Sequence, residues 1–559
     1  MRDHQAEKEK EEKETSEAQT NGQSAVYRPN HPVRIVTAAS LFDGHDASIN
    51  IMRRILQQSG AEVIHLGHNR SVQEIVDCAI QEDAQGIAVS SYQGGHMEYF
   101  MYMVDLLRQK GAAYIRVFGG GGGVIVNDEI QKLHEYGVSR IFSVDDGATM
   151  GLQGMINRIM EECDFSVCDA TPFSVQGLVD GQHAAVARAI SAIENHRDDL
   201  LRFDGARLVT ADGSYVQALG GGTDTSADEA SPSHKPQPVI GITGTGGAGK
   251  SSLTDELVLR FLETFPDRTI SILSVDPTKM KTGGALLGDR IRMNSIDTPR
   301  VYMRSMATRS SHSSVSDEMR GALEVCKVSG ADLIILETSG IGQSGAEIIE
   351  LCDIPIYVMT HEYGAATQLE KINMLDLADL VVLNKFEKRG SQDALRDIRK
   401  QMQRNRGEWH TPPEQMPVFP TIASQFHDEG VNRLFRALIK RLQEGTRVDG
   451  FRSWHWMLPG DAGIGSAEGI GSGEGIKKGM GMEKGAPSDH GAIERISIIP
   501  GSRERYLSEI AASIREYHRW SERQVEIATA LGEIQGTIRQ IQAFEGGNET
   551  DQKTTSTVE

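Results

Sequence analysis

Residues 244–251 read Gly-Thr-Gly-Gly-Ala-Gly-Lys-Ser, a spacing suited to phosphate chemistry. The apolar run Val239-Ile240-Gly241-Ile242 precedes them, and a helical pattern from Leu253 to Phe261 follows. In a strand–loop–helix of this kind the backbone N–H groups of Gly244, Gly246, Gly247, Ala248 and Gly249 turn toward phosphate oxygens. They do so at a helix N-terminus, which already favours anions. Lys250 reaches the β/γ-phosphates, Ser251 offers its hydroxyl to Mg²⁺, and Ser252 leads into the helix with the nucleotide-binding set. A chance glycine-rich turn would not bring Gly244, Gly249, Lys250 and Ser251 into register. The stretch implies nucleotide binding.

A second group of candidate residues lies nearer the N-terminus, in three loops. Asp43-Gly44-His45-Asp46-Ala47-Ser48 is one, Ser90-Ser91-Tyr92-Gln93-Gly94-Gly95-His96 another, and the five glycines Gly119 to Gly123 the third. An aspartate two residues before a histidine can fix the imidazole tautomer and raise its basicity as a metal ligand. Successive glycines cost backbone entropy, which argues that something approaches that backbone closely.

Alternating apolar and amphipathic patterns place these loops. Val33–Ala38, Ala61–Leu66, Gly86–Ser90, Tyr114–Phe118 and Ile141–Val144 read as strands. Between and after them, Ile49–Gln58, Val72–Gln81, Met97–Gln109, Glu129–Tyr136 and Met150–Met160 read as helices. Strands alternating with helices at this spacing predict a doubly wound parallel sheet, whose ligands bind at the carboxyl ends of the strands. All three loops follow such ends. Past the phosphate loop, Ile270–Val275 ends in Asp276-Pro277, Leu333–Leu336 ends in Glu337-Thr338-Ser339-Gly340, and Asp353–Met359 is a further strand. Leu380–Leu383 ends in Asn384-Lys385-Phe386-Glu387. Carboxylates at strand ends suit Mg²⁺ or its waters.

The chain has 559 residues, which predicts two or three domains. A net charge of −20 excludes nucleic acid and anionic membranes as primary partners. Five scattered cysteines with no CxxC fit a reducing cytosol without structural zinc. The charged N-terminus has no apolar segment of a signal peptide behind it, and no apolar run approaches the roughly 18 residues of a membrane span. A cytoplasmic protein is expected. Composition divides it into a disordered tail (1–30), a first α/β domain (31–165), a helical connector and linker (166–237), a second α/β domain (238–447), a Gly-rich linker (448–500), a helical segment (501–545) and a polar tail (546–559). The stripe Leu507, Ile510, Ile514, Tyr517, Leu531, Ile534, Ile538 and Ile541 in the helical segment suits a partner surface as well as an internal one.

The first domain resembles the flavodoxin-like cobalamin-binding domain of adenosylcobalamin-dependent acyl-CoA mutases, with its Asp-x-His-x-x-Gly, Ser-x-Leu and Gly-Gly signatures. The resemblance implies that His45 ligates cobalt with Asp43 behind it. Ser90 would contact the benzimidazole tail, and Gly122 and Gly123 would border it. Gly94 belongs to the same cofactor-binding set. Ser48 stands where the motif has glycine and Tyr92 where it has leucine.

The second domain resembles a P-loop GTPase of the MeaB type, the G-protein chaperones of acyl-CoA mutases. The resemblance implies Ser251, Asp276, Asp289 and Glu337 on the Mg²⁺ side and Arg292 as a charge stabiliser. It implies Gln343 as a water-orienting residue and Ser424 as a second guanine contact. Lys250, Arg292, Glu337 and Gln343 form the expected catalytic set. Asn384, Lys385, Phe386 and Glu387 stand at the guanine-reading Asn-Lys-x-Asp motif, with glutamate keeping the carboxylate on a side chain one methylene longer.

A cobalamin domain followed by such a G domain resembles the fused isobutyryl-CoA mutases. The resemblance implies an adenosylcobalamin- and GTP-dependent subunit whose G domain gates cofactor loading. In that family a substrate-binding TIM barrel of about 250 residues follows the helical linker. Its absence here predicts a separate large subunit as partner, with a cobalamin adenosyltransferase as a further candidate and a homo-oligomer as the expected assembly. A stand-alone cobalamin carrier is the alternative. A cobalamin-dependent regulator is disfavoured by the charge and by the lack of a DNA-binding motif.

Overall fold

The computed structural model describes residues 25–204, 207–216, 237–279, 281–308, 317–338, 345–363, 369–445 and 506–555. The expected tail before residue 25, the glycine-rich linker of 448–500 and Gln343 lie outside them. Contacts divide the chain into two compact units, Met1–Ser488 and Asp489–Glu559.

In the first unit, β1 (Arg34–Ser40), β2 (Glu62–Arg70), β3 (Gly86–Ser90), β4 (Arg116–Gly120) and β5 (Arg140–Phe142) pair in parallel in the order β2-β1-β3-β4-β5. That is the flavodoxin-like doubly wound order, with its switch point between β1 and β3. Strands buried on both faces read as near-continuous apolar runs, which is why Val33–Ala38 and Gly86–Ser90 were legible. Ser71 and Glu74 form a capping box on the helix Val72–Gln81, which explains its well-marked start. The last helix, Val144–Glu162, starts earlier than its apolar pattern and breaks at Gly151, where φ is 65°. Residues 25–31 are tied down: Asp164 accepts from the Tyr27 hydroxyl at 2.9 Å and from the Asn30 and His31 N–H groups at 2.8 and 2.9 Å.

The connector makes short helices, then the buried helix His183–Glu194 and an antiparallel hairpin of β6 (Leu201–Phe203) and β7 (Leu208–Thr210). Its apolar residues Val186, Ile190, Leu201 and Leu208 share one core with Leu273, Met306, Ile334 and Leu336 of the second sheet. The connector thus covers one face of that sheet.

The remaining strands are β8 (Val239–Gly244), β9 (Ile270–Pro277), β10 (Ala285–Leu287), β11 (Val301–Thr308), β12 (Leu333–Thr338), β13 (Ile354–Met359), β14 (Leu380–Leu383) and β15 (Val418–Pro420). Seven of them form a parallel sheet in the order β11-β9-β12-β8-β13-β14-β15. The eighth does not. β10 adds to the first sheet, beside β2, with Ala285 opposite Glu62, Leu286 opposite Val63 and Leu287 opposite Ile64. The chain passes close there, since a Cβ on Gly284 would lie 2.0 Å from the Gln57 carbonyl oxygen.

The described residues of the second unit form the helix Tyr506–Thr555, which runs past residue 545 into the expected tail. Among the side chains described there, Ile514, Tyr517, Leu531, Ile534, Ile538 and Ile541 are exposed.

Candidate functional site

Two sites lie at strand ends, one on each sheet. At the first, the Asp43 side chain is buried and makes contacts with both oxygens. Oδ1 accepts from the His45 backbone N–H at 2.9 Å and lies 2.8 Å from His45 Nδ1, while Oδ2 accepts from the Tyr92 N–H at 2.6 Å. Burial raises the pKa of this carboxyl, but the hydrogen bonds from Tyr92 and His45 outweigh it and hold the group below its ordinary value. An ionised carboxylate only accepts, so Nδ1 carries the hydrogen, and in the neutral imidazole Nε2 then holds the lone pair. The His45 side chain is 78% exposed, so that lone pair is available to a metal. The Tyr92 ring lies 5.5 Å from the imidazole, centroid to centroid.

Beside this loop is a largely apolar cavity of about 290 Å³, lined by Ser48, Ser90, Tyr92, Phe118, Gly119–Gly122 and Leu152 among others. The Ser48 and Ser90 hydroxyls are buried without a hydrogen-bond partner. Two unsatisfied hydroxyls in an apolar slot ask for a ligand with polar atoms on an aromatic body. The residues present therefore fit a benzimidazole-bearing cofactor, with Ser48 contributing where glycine was expected. Gly94 is exposed and, with Gly123, stands outside the lining.

The glycine run divides by function. A Cβ on Gly119 would strike the Phe100 ring at 2.4 Å, and one on Gly121 would lie 2.0 Å from the Ser91 carbonyl oxygen. Gly122 has φ +56°, whereas Gly123 has open space around it. Gly121→Ala should therefore cost about 1–3 kcal/mol of stability in urea unfolding, through forced backbone movement. Gly123→Ala should leave unfolding unchanged, since a Cβ there meets nothing within 4 Å. Equal stability losses would contradict this division.

At the second site, Gly244, Gly247 and Gly249 have φ of +150°, +74° and +89°. A Cβ on Gly244 would lie 1.9 Å from the Val358 carbonyl oxygen, so the loop tolerates no larger residue there. The loop opens the helix Lys250–Thr264. Gly246 and Gly247 are exposed, Ala248 is buried, and Ser252 is half-buried. Lys250 is buried, with Nζ 3.4 and 3.5 Å from the Gly244 and Thr245 carbonyl oxygens. These are long contacts that leave its charge poorly satisfied. Burial lowers its pKa, against the pull of Glu337, Asp289 and Asp276.

Ser251 Oγ lies 2.8 Å from Asp289 Oδ1 and 2.8 Å from Glu337 Oε1. A hydroxyl has one hydrogen and can donate to only one of them. Burial first, then the charge of Asp289, pushes the Glu337 carboxyl up to about 8. Burial and Asp289 push Asp276 up to about 7. Carboxylates raised by burial and by a neighbouring carboxylate invite a cation. Among the described residues no three His, Cys, Asp or Glu side chains close around a metal by themselves. That suits Mg²⁺, which keeps waters and takes phosphate oxygens with one or two protein ligands. Ser251 with Asp289, Glu337 and Asp276 around it fits such an ion, whose role when bound is to neutralise charge on the transferring phosphate.

Further groups, invisible as motifs, position these. Thr254, three residues past Ser251 on the same helix, donates to Glu337 Oε2 at 2.9 Å. Ser274 donates to Asp289 Oδ2, and the Gly288 N–H donates to Asp276 Oδ2 at 3.1 Å. The Thr254 spacing of i+3 was the one available signal. Asn384 Nδ2 donates to the Ala248 carbonyl at 2.8 Å, and its Oδ1 accepts from Thr421 Oγ1 and the Ala423 N–H, both at 3.1 Å. It braces the phosphate loop against the loop carrying Ser424. Lys385 has φ +58°, Phe386 is half-buried, and Glu387 and Ser424 are exposed, on loops that follow the adjacent strands β14 and β15. Arg292 is exposed in the short helix Arg290–Arg292.

Residues 33–152 match the B12 binding domain, and residues 228–452 match the methylmalonyl-CoA mutase-associated GTPase MeaB. The chain joins a B12-binding domain to a MeaB-type GTPase domain. Over 92% of its length it is 54% identical to a fused isobutyryl-CoA mutase of Geobacillus kaustophilus, covering 43% of that protein. It is 50% identical over 88% of its length to one of Cupriavidus metallidurans and 46% identical over 92% to one of Nocardia farcinica, covering 40% and 43% of those proteins. The chain thus spans less than half the length of these relatives. Among the described residues no helix is long and apolar enough to cross a membrane.

Proposed function

We propose that this chain is the adenosylcobalamin-binding, GTP-hydrolysing part of a cytoplasmic acyl-CoA mutase of the isobutyryl-CoA/n-butyryl-CoA type. In this reading the G domain gates cofactor loading, and a TIM-barrel partner binds the acyl-CoA. The observation that carries it is the pairing, in one compact unit, of an exposed Asp43-backed His45 beside an apolar slot with a phosphate loop faced by Ser251, Asp289 and Glu337. Bound adenosylcobalamin would supply radical chemistry. The chain's own task is to hold it, with His45 toward cobalt and Ser48 and Ser90 toward the tail. The exposed stripe of the helix Tyr506–Thr555 is assigned to the barrel partner.

The test is conversion of isobutyryl-CoA to n-butyryl-CoA with adenosylcobalamin and a barrel partner supplied as a separate chain. Conversion that needs this chain, and is lost with His45→Ala, is expected. GTP-dependent cobalamin transfer without isomerisation would instead support the alternative, a cobalamin carrier.

Guanine preference follows from Glu387. Its carboxylate can accept from both N1–H and the exocyclic amine of guanine, which adenine does not offer together. Glu387→Ala should cut the GTP-over-ATP ratio of kcat/KM by about 10-fold or more, the value of a hydrogen bond to a charged group. Equal turnover of the two nucleotides by the unaltered chain would refute the assignment and leave the phosphate loop untouched.

A further inference from the structure

One of the two carboxylates at Ser251, Asp289, belongs to a segment that also contacts the other domain. Asp289 follows β10 by one residue and precedes Arg290 directly. On its N-terminal side, β10 is an edge strand of the cobalamin-domain sheet, paired with β2. On its C-terminal side, the Arg290 guanidinium is buried. It donates to Glu82 Oε1 at 3.3 Å, to Gln81 Oε1 at 2.8 Å and to the Met303 carbonyl at 2.7 Å. Gln81 and Glu82 stand at the C-terminal end of the cobalamin-domain helix Val72–Gln81.

Glu82 is fully buried and heavily used. It accepts from the Ser305 N–H at 3.1 Å and the Ser305 hydroxyl at 3.0 Å, and Arg34 Nη1 reaches it at 3.3 Å. A buried carboxylate with this many donors has one rigid placement, and a guanidinium bonded to it inherits that placement. Asp289 is therefore flanked on both sides by contacts to the cobalamin domain, β10 to β2 and Arg290 to Gln81 and Glu82, with Met303 and Ser305 of β11 sharing the second anchor. Its hydrogen bonds to Ser251 and Ser274 are made from a backbone that the cobalamin domain helps to place.

We propose that Glu82 is a positioning residue for the Mg²⁺ side of the nucleotide site, acting through Arg290 to hold Asp289 in reach of the ion. This rests on the GTP reading above. It makes the cobalamin domain a working part of the GTPase. By linkage, binding of Mg²⁺-nucleotide stabilises the same β2–β10 pairing in return.

The test uses the full chain and a fluorescent, non-hydrolysable GTP analogue. In Glu82→Gln the Mg²⁺ concentration that half-retains the analogue should rise about 10-fold, the worth of one charge-assisted hydrogen bond. Affinity for the analogue in EDTA and the absorbance change on cobalamin binding should both stay as in the unaltered chain. Arg290→Lys should show the same Mg²⁺ shift, because a lysine ammonium does not span Glu82, Gln81 and Met303 together. A merely structural residue would lower all three readouts in parallel, and that result overturns the proposal. An unshifted Mg²⁺ dependence with intact nucleotide binding overturns it alone, whereas no guanine-nucleotide binding by the unaltered chain overturns the GTP reading with it. Should the variants not fold, hydrogen exchange of the unaltered chain decides. Mg²⁺ with the analogue should slow the amides of Ala285–Leu287 and of 62–64, and unchanged exchange there refutes the coupling.

Discussion

Lys250→Ala is expected to lower GTP turnover by about 10²–10³-fold, the scale on which removal of a preorganised charge acts at a transferring phosphate. Among the described residues the ammonium makes two long carbonyl contacts under the phosphate loop, at 3.4 and 3.5 Å. Burial lowers its pKa, and the carboxylates Glu337, Asp289 and Asp276 only partly oppose that. A cation held this way is stabilised further by an arriving γ-phosphate, most of all as charge develops on it. The measurement is phosphate release with Mg²⁺-GTP in excess. Because Lys250 anchors little of the fold, thermal unfolding of the variant should stay near that of the unaltered chain, and its cobalamin titration should not move. Retained hydrolysis would remove the G site from its assigned place.

The second large effect is expected at His45. Electron paramagnetic resonance of the Co(II) form of cobalamin bound to ¹⁵N-labelled protein should show hyperfine splitting from a protein nitrogen. His45→Ala should erase it. Since the imidazole is mostly solvent-exposed, the substitution should leave unfolding within about 0.5 kcal/mol, the usual range for surface changes. Asp43→Asn should keep the splitting while weakening cobalamin binding about 10–100-fold, because Asp43 acts through the tautomer and orientation of His45. Persistence of the splitting in His45→Ala would refute the ligand assignment directly.

What the linear sequence determined by itself is local. The phosphate loop is built from eight consecutive residues between a strand and a helix, and Asp43 and His45 stand two apart on one turn. Chemistry made by near neighbours survives without knowledge of the rest. So does the doubly wound architecture, because strands buried on both faces must be apolar throughout and their helices must carry a 3.6 period. Tertiary structure alone decided how the two sites are joined. β10 has three residues, too short for a pattern, and its partner β2 lies more than two hundred positions away. Sequence reading put Ala285–Leu287 with the second domain because nothing local says otherwise. Nothing in the sequence marks Arg34, Glu82, Arg290 and Arg304 as buried, since such residues are almost never fully buried unless paired. Here they are paired: Arg290 meets Glu82 across 208 positions, and Arg304 meets Glu194 across 110. The resemblance already set Ser90 at the tail and Ser48 in the motif, but only the tertiary structure shows both hydroxyls buried and unpartnered at one cavity. A charge or hydroxyl carries no sign in the sequence of whether water will reach it. Only packing decides that, and here packing made one domain's glutamate a support for the other domain's aspartate.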